Sequence, residues 1–498
     1  MTSPADHLLD LLDIRVTLVL LLLLLVTYSY SRRPRNLPPG PWGWPVVGSL
    51  PSLAWSQNLH LDFMDWQKKY GPVTYFRMGM LDAVVLGGYD TIRQAIVKQS
   101  EVFSSRPAHL VVLNKMSKKK GIVMAPSGPL WKEQRKFALT TLRSFGFGKR
   151  SLEVQISEET SALLEQIRNI GDKPFNITRP LQKATTNIIS SMVFAHRFEY
   201  DNPQFLQFMQ DFDDIAATNF LAMPENILPF LQYVLDSGSK VIKISQRLIN
   251  FAQAKIKEHQ QTFDPNDIRD FIDSYLLEMQ AQDQLSDTTF TEEQLVMTVL
   301  DLFVAGTETT TTTLRWASLL MLVYPDIQQK VHEEIDSVLG QGQTPSMSHR
   351  DQLPYTQAVL TEVSRFATIV PLNVPHTTSE DTTLNGYHIP KQTIVIPSIW
   401  SVHHDEKLFP QHDKFDPSRF LDENGQYKKD DHVMPFSAGP RICLGEQLAR
   451  MELFLFFTSL MQHFTFKIPE GAPTPSLKGR IAATHFPEPF DIVAVVRD

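Results

Sequence analysis

The stretch PFSAGPRICLGEQ, residues 435–447, carries Cys443, and no other cysteine occurs in the 498 residues. Gly439 and Gly445 flank it, and Arg441 precedes it by two positions. Glycine lets a backbone turn tightly and approach a ligand closely. Arginine stays charged and pairs with carboxylates. The apolar run LGEQLARMELFLFF follows the cysteine with helical character, and a helix N-terminus favours thiolate over thiol. A lone cysteine is often a small buried hydrophobe. These neighbours suit instead a thiolate held against a flat ligand whose carboxylates need a cation. That is the chemistry of a haem-thiolate site, where the sulfur donates electron density to iron and favours O–O cleavage.

A second stretch, AGTETT at 305–310, also carries chemistry. A glycine inside a helix costs about 1 kcal/mol relative to alanine, so Gly306 needs a reason. Thr309 can return its hydroxyl to the carbonyl of Ala305, four residues back, a bond that bends helices. An opening beside a residue without a side chain makes room for a small ligand such as O2. Glu308 and Thr309 then form an acid–alcohol pair able to deliver protons. The plainer alternative is a threonine-rich helix whose hydroxyls only bond its own backbone.

The elements that must position these groups follow from periodicity. Leu295, Val299, Leu302, Phe303 and Gly306 recur at helical spacing. Thr291 with Gln294 makes a capping-box start and Pro325 a stop, which predicts a helix over 291–323. At about three times the mean helix length, it must cross the whole domain. Further helices are predicted at 325–339, 353–367 and 445–462, and short strands at 73–78, 83–87, 394–397 and 490–496. The class is mostly α with a smaller β portion. No linker, repeat or low-complexity tract interrupts 46–498, which reads as one large domain.

The N-terminus differs. Ile14 to Tyr30 is apolar apart from Arg15, close to the roughly 20 residues that cross a bilayer. Arg32, Arg33 and Arg35 follow it and Asp6, Asp10 and Asp13 precede it, which puts the body on the cytosolic side. With no small-residue cleavage site after it, residues 1–31 read as an uncleaved signal anchor; the alternative is an amphipathic surface helix. Residues 32–45 form a basic, proline-rich hinge. This topology leaves the glycosylation tripeptide Asn176-Ile177-Thr178 unmodified. The net charge of −8 gives no sign of nucleic-acid binding. One cysteine excludes an intrachain disulfide framework and a CxxC zinc site.

Phe436, Gly439, Arg441, Cys443 and Gly445 fit the pattern F-x-x-G-x-R-x-C-x-G without a miss. On that motif the chain resembles the cytochrome P-450 family, and the resemblance covers nearly its whole length. It implies a single large cytochrome P-450 fold with the long central helix over the haem, haem b as cofactor and Cys443 as the iron ligand. Glu362-Val363-Ser364-Arg365 matches E-x-x-R, and FDPSRF (415–420) supplies Arg419. The resemblance makes Glu362, Arg365 and Arg419 a structural triad supporting the haem-binding loop. It makes Trp131 and Arg135 in WKEQR, Arg106 in FSSRP and His376 in VPHTTSED contacts of the haem propionates, and Glu308 and Thr309 the proton relay. By matching position, Val304, Ala305, Val370, Val374 and Ile481 line the substrate pocket. All are apolar.

The chain has no G-x-G-x-x-G after a strand and no G-x-x-x-x-G-K-[ST], hence no visible nicotinamide or flavin site. Electrons must come from another protein. The run from Lys132 to Arg150 holds Lys132, Arg135, Lys136, Arg143, Lys149 and Arg150 against Glu133 alone, which suits an acidic partner. The resemblance implies NADPH–cytochrome P-450 reductase as that partner, cytochrome b5 as an optional second donor, and the endoplasmic reticulum membrane as location. The chain is most similar in look to animal microsomal members of family two. SVHHD, GYHIPKQT and HTTSEDTTLNGY are similar to the long-chain fatty-acid hydroxylases. The implied reaction inserts one oxygen atom from O2 into a hydrophobic substrate: a fatty acid, then a sterol-like molecule, then a foreign compound. Two readings of other classes are a haem-thiolate isomerase or dehydratase, against which the Glu308–Thr309 pair argues, and a haem-binding sensor or carrier without turnover.

Overall fold

The computed structural model describes residues 14–24, 36–44, 47–53, 58–146, 150–218, 223–235, 238–284, 287–340 and 342–497. Its longest helix, Glu292–Val323, is the one that periodicity predicts. Thr291 Oγ1 accepts from the Gln294 N–H at 3.2 Å. The capping box is only half formed, however. The Gln294 side chain is buried and spans to Gly121, donating to its carbonyl at 3.0 Å and accepting from its N–H at 3.2 Å. Two tertiary bonds outweigh the local return to Thr291.

At 1.5 Å per residue this central helix is about 48 Å long. It packs against Thr178–Phe194, Ser239–Thr262, Pro354–Ala367, Glu446–His463 and the strand His485–Pro487. Phe303, Leu314 and Trp316–Leu322 are buried in one large hydrophobic core with these neighbours. The helix also buries hydroxyls, and each named here finds a partner. Thr311 meets Thr185 at 2.7 Å, and Thr313 back-bonds to the Thr309 carbonyl at 2.8 Å.

The β portion is small. Four strands pair in the order Val73–Met78, Leu81–Leu86, Ile394–Pro397, His376–Thr377, with one parallel contact in the middle. Ala83–Leu86 and Ile394–Pro397 are buried without alternation, because both faces of the sheet are covered. The strand expected at 490–496 is shortened to Val493–Val496 and pairs with Phe464–Lys467. The helices Pro325–Val338, Pro354–Ala367 and Glu446–His463 lie within a residue of their predicted bounds.

At the N-terminus, residues 14–24 form a helix with every side chain exposed. Eleven residues rise only about 16 Å, half of a bilayer core. The rest of the expected anchor, and the hinge through residue 35, lie outside the described residues. Among the described residues no helix is long and apolar enough to cross a membrane.

Candidate active site

The cysteine loop is held from both sides. Gly439 has φ +74°, and a Cβ there would lie 2.0 Å from the carbonyl oxygen of Ile96, so only glycine fits. The Cys443 N–H donates to Phe436 O at 3.0 Å and closes the loop. Arg441 is buried and donates to three carbonyls: Ser104 at 2.9 Å, Ile122 at 3.1 Å and Ala125 at 2.7 Å. The cysteine sits just before the helix Glu446–His463, whose N-cap is Gly445. Burial nevertheless pushes the thiol up, although the residue keeps solvent access. The Gly445 N–H and Arg135 act the other way but do not prevail. Burial thus offsets what the helix N-terminus offers the thiolate, and a coordinating metal ion deprotonates a thiol outright.

Around the loop lies a cluster of cations. Arg106 donates to Val123 O at 2.9 Å, Val374 O at 2.8 Å and Pro375 O at 2.9 Å. Arg135 donates to Ile442 O. The Arg441 guanidinium stacks 3.8 Å from the centre of the Trp131 ring. Burial first and neighbouring positive charge second bring Arg106 down to about 9 and Arg441 down to about 8. Two polar atoms here are buried without a partner, Trp131 Nε1 and His376 Nε2. The other ring nitrogen of His376 lies 2.7 Å from Phe103 O. Crowded guanidinium groups and unsatisfied buried nitrogens are costly unless an anion joins them. The five residues fit a flat ligand with carboxylates along one edge, which is the shape of haem.

On the central helix, Thr309 Oγ1 donates to Ala305 O at 2.6 Å, the bond expected from spacing. Val304 and Ala305 are exposed in the middle of a helix whose flanks are buried, Val304 by 40%. A bare apolar face there borders open space. Gly306 also meets a neighbouring helix. A Cβ on it would lie 2.4 Å from Cδ1 of Ile189 on the helix Thr178–Phe194. Close packing against the end of the Ile189 side chain thus favours a small residue here as well. Glu308 accepts on Oε1 from Thr312 at 3.0 Å and from Thr484 at 3.2 Å. Its carboxyl is pushed up by burial and then by Asp213, and pulled down by Thr312, Arg315 and Thr484. No direct hydrogen bond joins Glu308 to Thr309.

Glu362 and Arg365 are wholly buried and form a fork of two bonds at 2.6 and 2.7 Å. Arg365 also donates to His403 O at 2.8 Å and His412 O at 2.9 Å, and Glu362 accepts from the Asp416 N–H at 2.9 Å. Arg419 Nε lies 3.5 Å from Glu362. Spacing alone suggests a surface ion pair for residues three apart; tertiary burial makes it the knot of several loops.

Val370, Val374 and Ile481 are half-buried. Ile481 ends the strand Gly479–Ile481. Lys132, Lys136 and Arg143 are exposed on the helix Pro129–Ser144, whereas Arg135 turns inward to Ile442. Lys149 lies outside the described residues.

Two residues escaped the sequence reading. Asp301 Oδ2 accepts from the Ile122 N–H at 2.6 Å and the Val123 N–H at 2.9 Å, and burial pushes its carboxyl up to about 6. His403 bonds Thr368 at 2.9 Å and accepts from the Met434 N–H at 2.9 Å, just ahead of the cysteine loop. A lone aspartate inside the apolar run VMTVLDLFVAG was a readable signal. Nothing in SVHHD distinguished His403 from its neighbour.

A model of the family "Cytochrome P450" matches residues 38–493. The chain is 43% identical over 470 residues to cytochrome P450 2J1 of Oryctolagus cuniculus, covering 94% of this chain and 93% of that protein. It is 43% identical over 467 residues to cytochrome P450 2J2 of Homo sapiens, covering 93% and 92%. With cytochrome P450 2U1 of Rattus norvegicus it shares 41% over 490 residues, covering 94% and 92%.

Proposed function

The chain belongs to the cytochrome P450 family, and from that membership we propose that it inserts one oxygen atom from O2 into a long-chain fatty acid, with NADPH electrons passed on by a separate reductase. The protein is a monooxygenase, an oxidoreductase that uses thiolate-ligated haem iron, a redox partner, O2 and a hydrophobic substrate. When bound, the haem supplies the reductive activation of O2.

The chain's own residues divide the remaining work. Cys443 ligates the iron. Arg106, Trp131, Arg135, His376 and Arg441 hold the propionates, and Phe436 and Gly439 shape the loop that presents the sulfur. Glu308 and Thr309 deliver protons, while Val304, Ala305, Val370, Val374 and Ile481 keep the substrate's surroundings apolar and dry. One residue carries this reading: Ile122 donates its N–H to Asp301 and accepts from Arg441 through its carbonyl. Asp301 is one helical turn from Val304 and Ala305, and Arg441 is two residues from Cys443. Ile122 thus ties the two chemistry-bearing stretches together.

Residues 1–31 anchor the protein in the endoplasmic reticulum membrane, 32–45 form the hinge and 46–498 face the cytosol. The exposed Lys132, Lys136 and Arg143 receive the acidic face of NADPH–cytochrome P450 reductase, with cytochrome b5 as a second donor.

The substrate class is tested by reconstituting haem-loaded protein with reductase and NADPH and offering a mixed pool of long-chain fatty acids. Hydroxylated acid in the mass spectrum supports the reading. Oxidation of sterols or foreign compounds alone, by protein with an intact reduced carbon monoxide spectrum, overturns the fatty-acid assignment. A second expectation concerns Thr309→Ala. It removes the hydroxyl but not the fold, so NADPH oxidation persists while product per NADPH falls about 10-fold or more and peroxide rises. Normal coupling in that variant would count against the relay.

A further inference from the structure

A cavity of about 280 Å³ flanks the cysteine loop, and its described lining includes no residue of the central helix. Apolar side chains of two packed helices line it: Leu360 from Pro354–Ala367, and Leu453 and Phe454 from Glu446–His463. Phe436, at the start of the cysteine loop, lines it too, as does Tyr427. The Tyr427 hydroxyl lies 3.0 Å from Thr361 Oγ1, which satisfies the polar end of that ring. The Arg450 guanidinium stands 4.8 Å from the centre of the Phe436 ring, within cation–π reach. The cavity is therefore walled by rings and aliphatic groups, with charges among its lining residues.

Most of those charges are already matched. Arg450 pairs with Glu446 at 2.9 Å, and its Nε donates to the same oxygen at 3.0 Å. Asp430 accepts from the His432 N–H at 2.8 Å and meets its ring at 2.8 Å. Lys429 is exposed and pairs with Asp431 at 2.7 Å. Arg350 is the exception. Its Nε donates to Gln357 Oε1 at 3.1 Å, and Gln357 Nε2 donates back to the Arg350 carbonyl at 2.6 Å. Gln357 is buried, so this two-way clasp fixes the arginine by its inner edge. Among the described residues no carboxylate pairs with Arg350, and the clasp leaves its two terminal nitrogens for another acceptor. An arginine held in place with that edge unused suits a carboxylate, which takes two parallel bonds from a guanidinium.

We propose that this cavity is a second binding site, separate from the substrate pocket, for a small aromatic carboxylate. The carboxylate sits on Arg350 and the ring lies among Leu360, Tyr427, Phe436 and Phe454. Aromatic walls favour a flat ring, which packs against them edge-on or offset. The volume falls just below the roughly 300 Å³ at which pockets for drug-sized ligands begin, so the ligand has one or two rings. One unmatched cation sets its charge at −1. A dianion would leave a charge unpaired near Glu446 and Asp430. The site also touches the cysteine loop, because the carbonyl of Phe436 is the group that accepts the Cys443 N–H at 3.0 Å.

The test uses 2-naphthoate and its uncharged analogue 2-naphthamide, in equilibrium dialysis against full-length, haem-loaded protein. Excess clotrimazole, whose imidazole ligates the iron, occupies the substrate side throughout. The parent is expected to bind one 2-naphthoate under these conditions. Arg350→Gln weakens that binding about 10-fold or more, because it removes a charged hydrogen-bond donor, while 2-naphthamide binds the parent and Arg350→Gln alike. Ser364→Phe, which places a ring in the cavity from its lining, removes the binding of both probes. If Ser364→Phe does not fold, the comparison of acid with amide in Arg350→Gln decides alone. Absence of 2-naphthoate binding once clotrimazole is present overturns the proposal. So does a clotrimazole-insensitive site at which Arg350→Gln binds 2-naphthoate as tightly as the parent does.

Discussion

Cys443→Ser is expected to abolish the red-shifted Soret band of the reduced carbon monoxide complex and to cut substrate oxidation by more than about 100-fold, beyond what loss of an outer partner costs a metal site. The chain offers no substitute thiolate, because Cys443 is its only cysteine. A serine hydroxyl is nearly isosteric, so the loop itself is preserved: its closure depends on the Cys443 N–H bond to Phe436 O, on Gly439 and on the three Arg441 bonds, none of which uses the sulfur. Serine does not supply the electron density that a sulfur ligand donates to iron. The measurement is the reduced carbon monoxide difference spectrum on protein whose folding is checked by circular dichroism. Survival of the red-shifted band in the serine variant would falsify the ligand assignment.

Glu362→Ala is expected to be the most destabilising single change in the body of the protein. It strands the wholly buried Arg365 guanidinium without its counterion, and breaking a buried pair from one side costs about 3–5 kcal/mol. Net stabilities of folded domains are only about 5–15 kcal/mol, so most of the haem-loaded protein should be lost on expression. The consequence is not confined to the pair. Arg365 fixes the carbonyls of His403 and His412, and the His403 ring fixes Met434 ahead of the cysteine loop. Arg365→Lys is also expected to fail, since an ammonium cannot make the two-pronged bond and reach both carbonyls at once. Replacing both members by apolar residues should cost less than the two single changes added together. Denaturant midpoints followed by haem absorbance decide the matter. A Glu362→Ala unfolding free energy within about 1 kcal/mol of the parent would show that the pair is not the support described.

The residues proposed to touch ligands were picked out by type and spacing. A cysteine between glycines, an arginine two before it and a threonine four after an alanine each point to their chemistry locally, because ligand contact constrains residue identity directly. The long helix was readable too, since its apolar period and its ends are written within the segment. Three features were not. A Cβ on Gly306 would meet Ile189, more than a hundred residues away. Gln294 leaves its local cap for Gly121 because the distant backbone offers two bonds. The state of the Cys443 thiol depends on how much protein surrounds it, which no helix N-terminus reveals. The same holds for Asp301 and Arg315. Each looks in sequence like a charge misplaced on a buried helix, and each acquires a partner only when the loop at 121–123 or the strand at 485–487 folds against it. Sequence alone thus determined the cofactor and the mostly helical class, since these rest on patterns within short segments. Tertiary structure decided which charges are neutralised and which donors stay free, because burial and electrostatics sum over neighbours that the chain order does not place together.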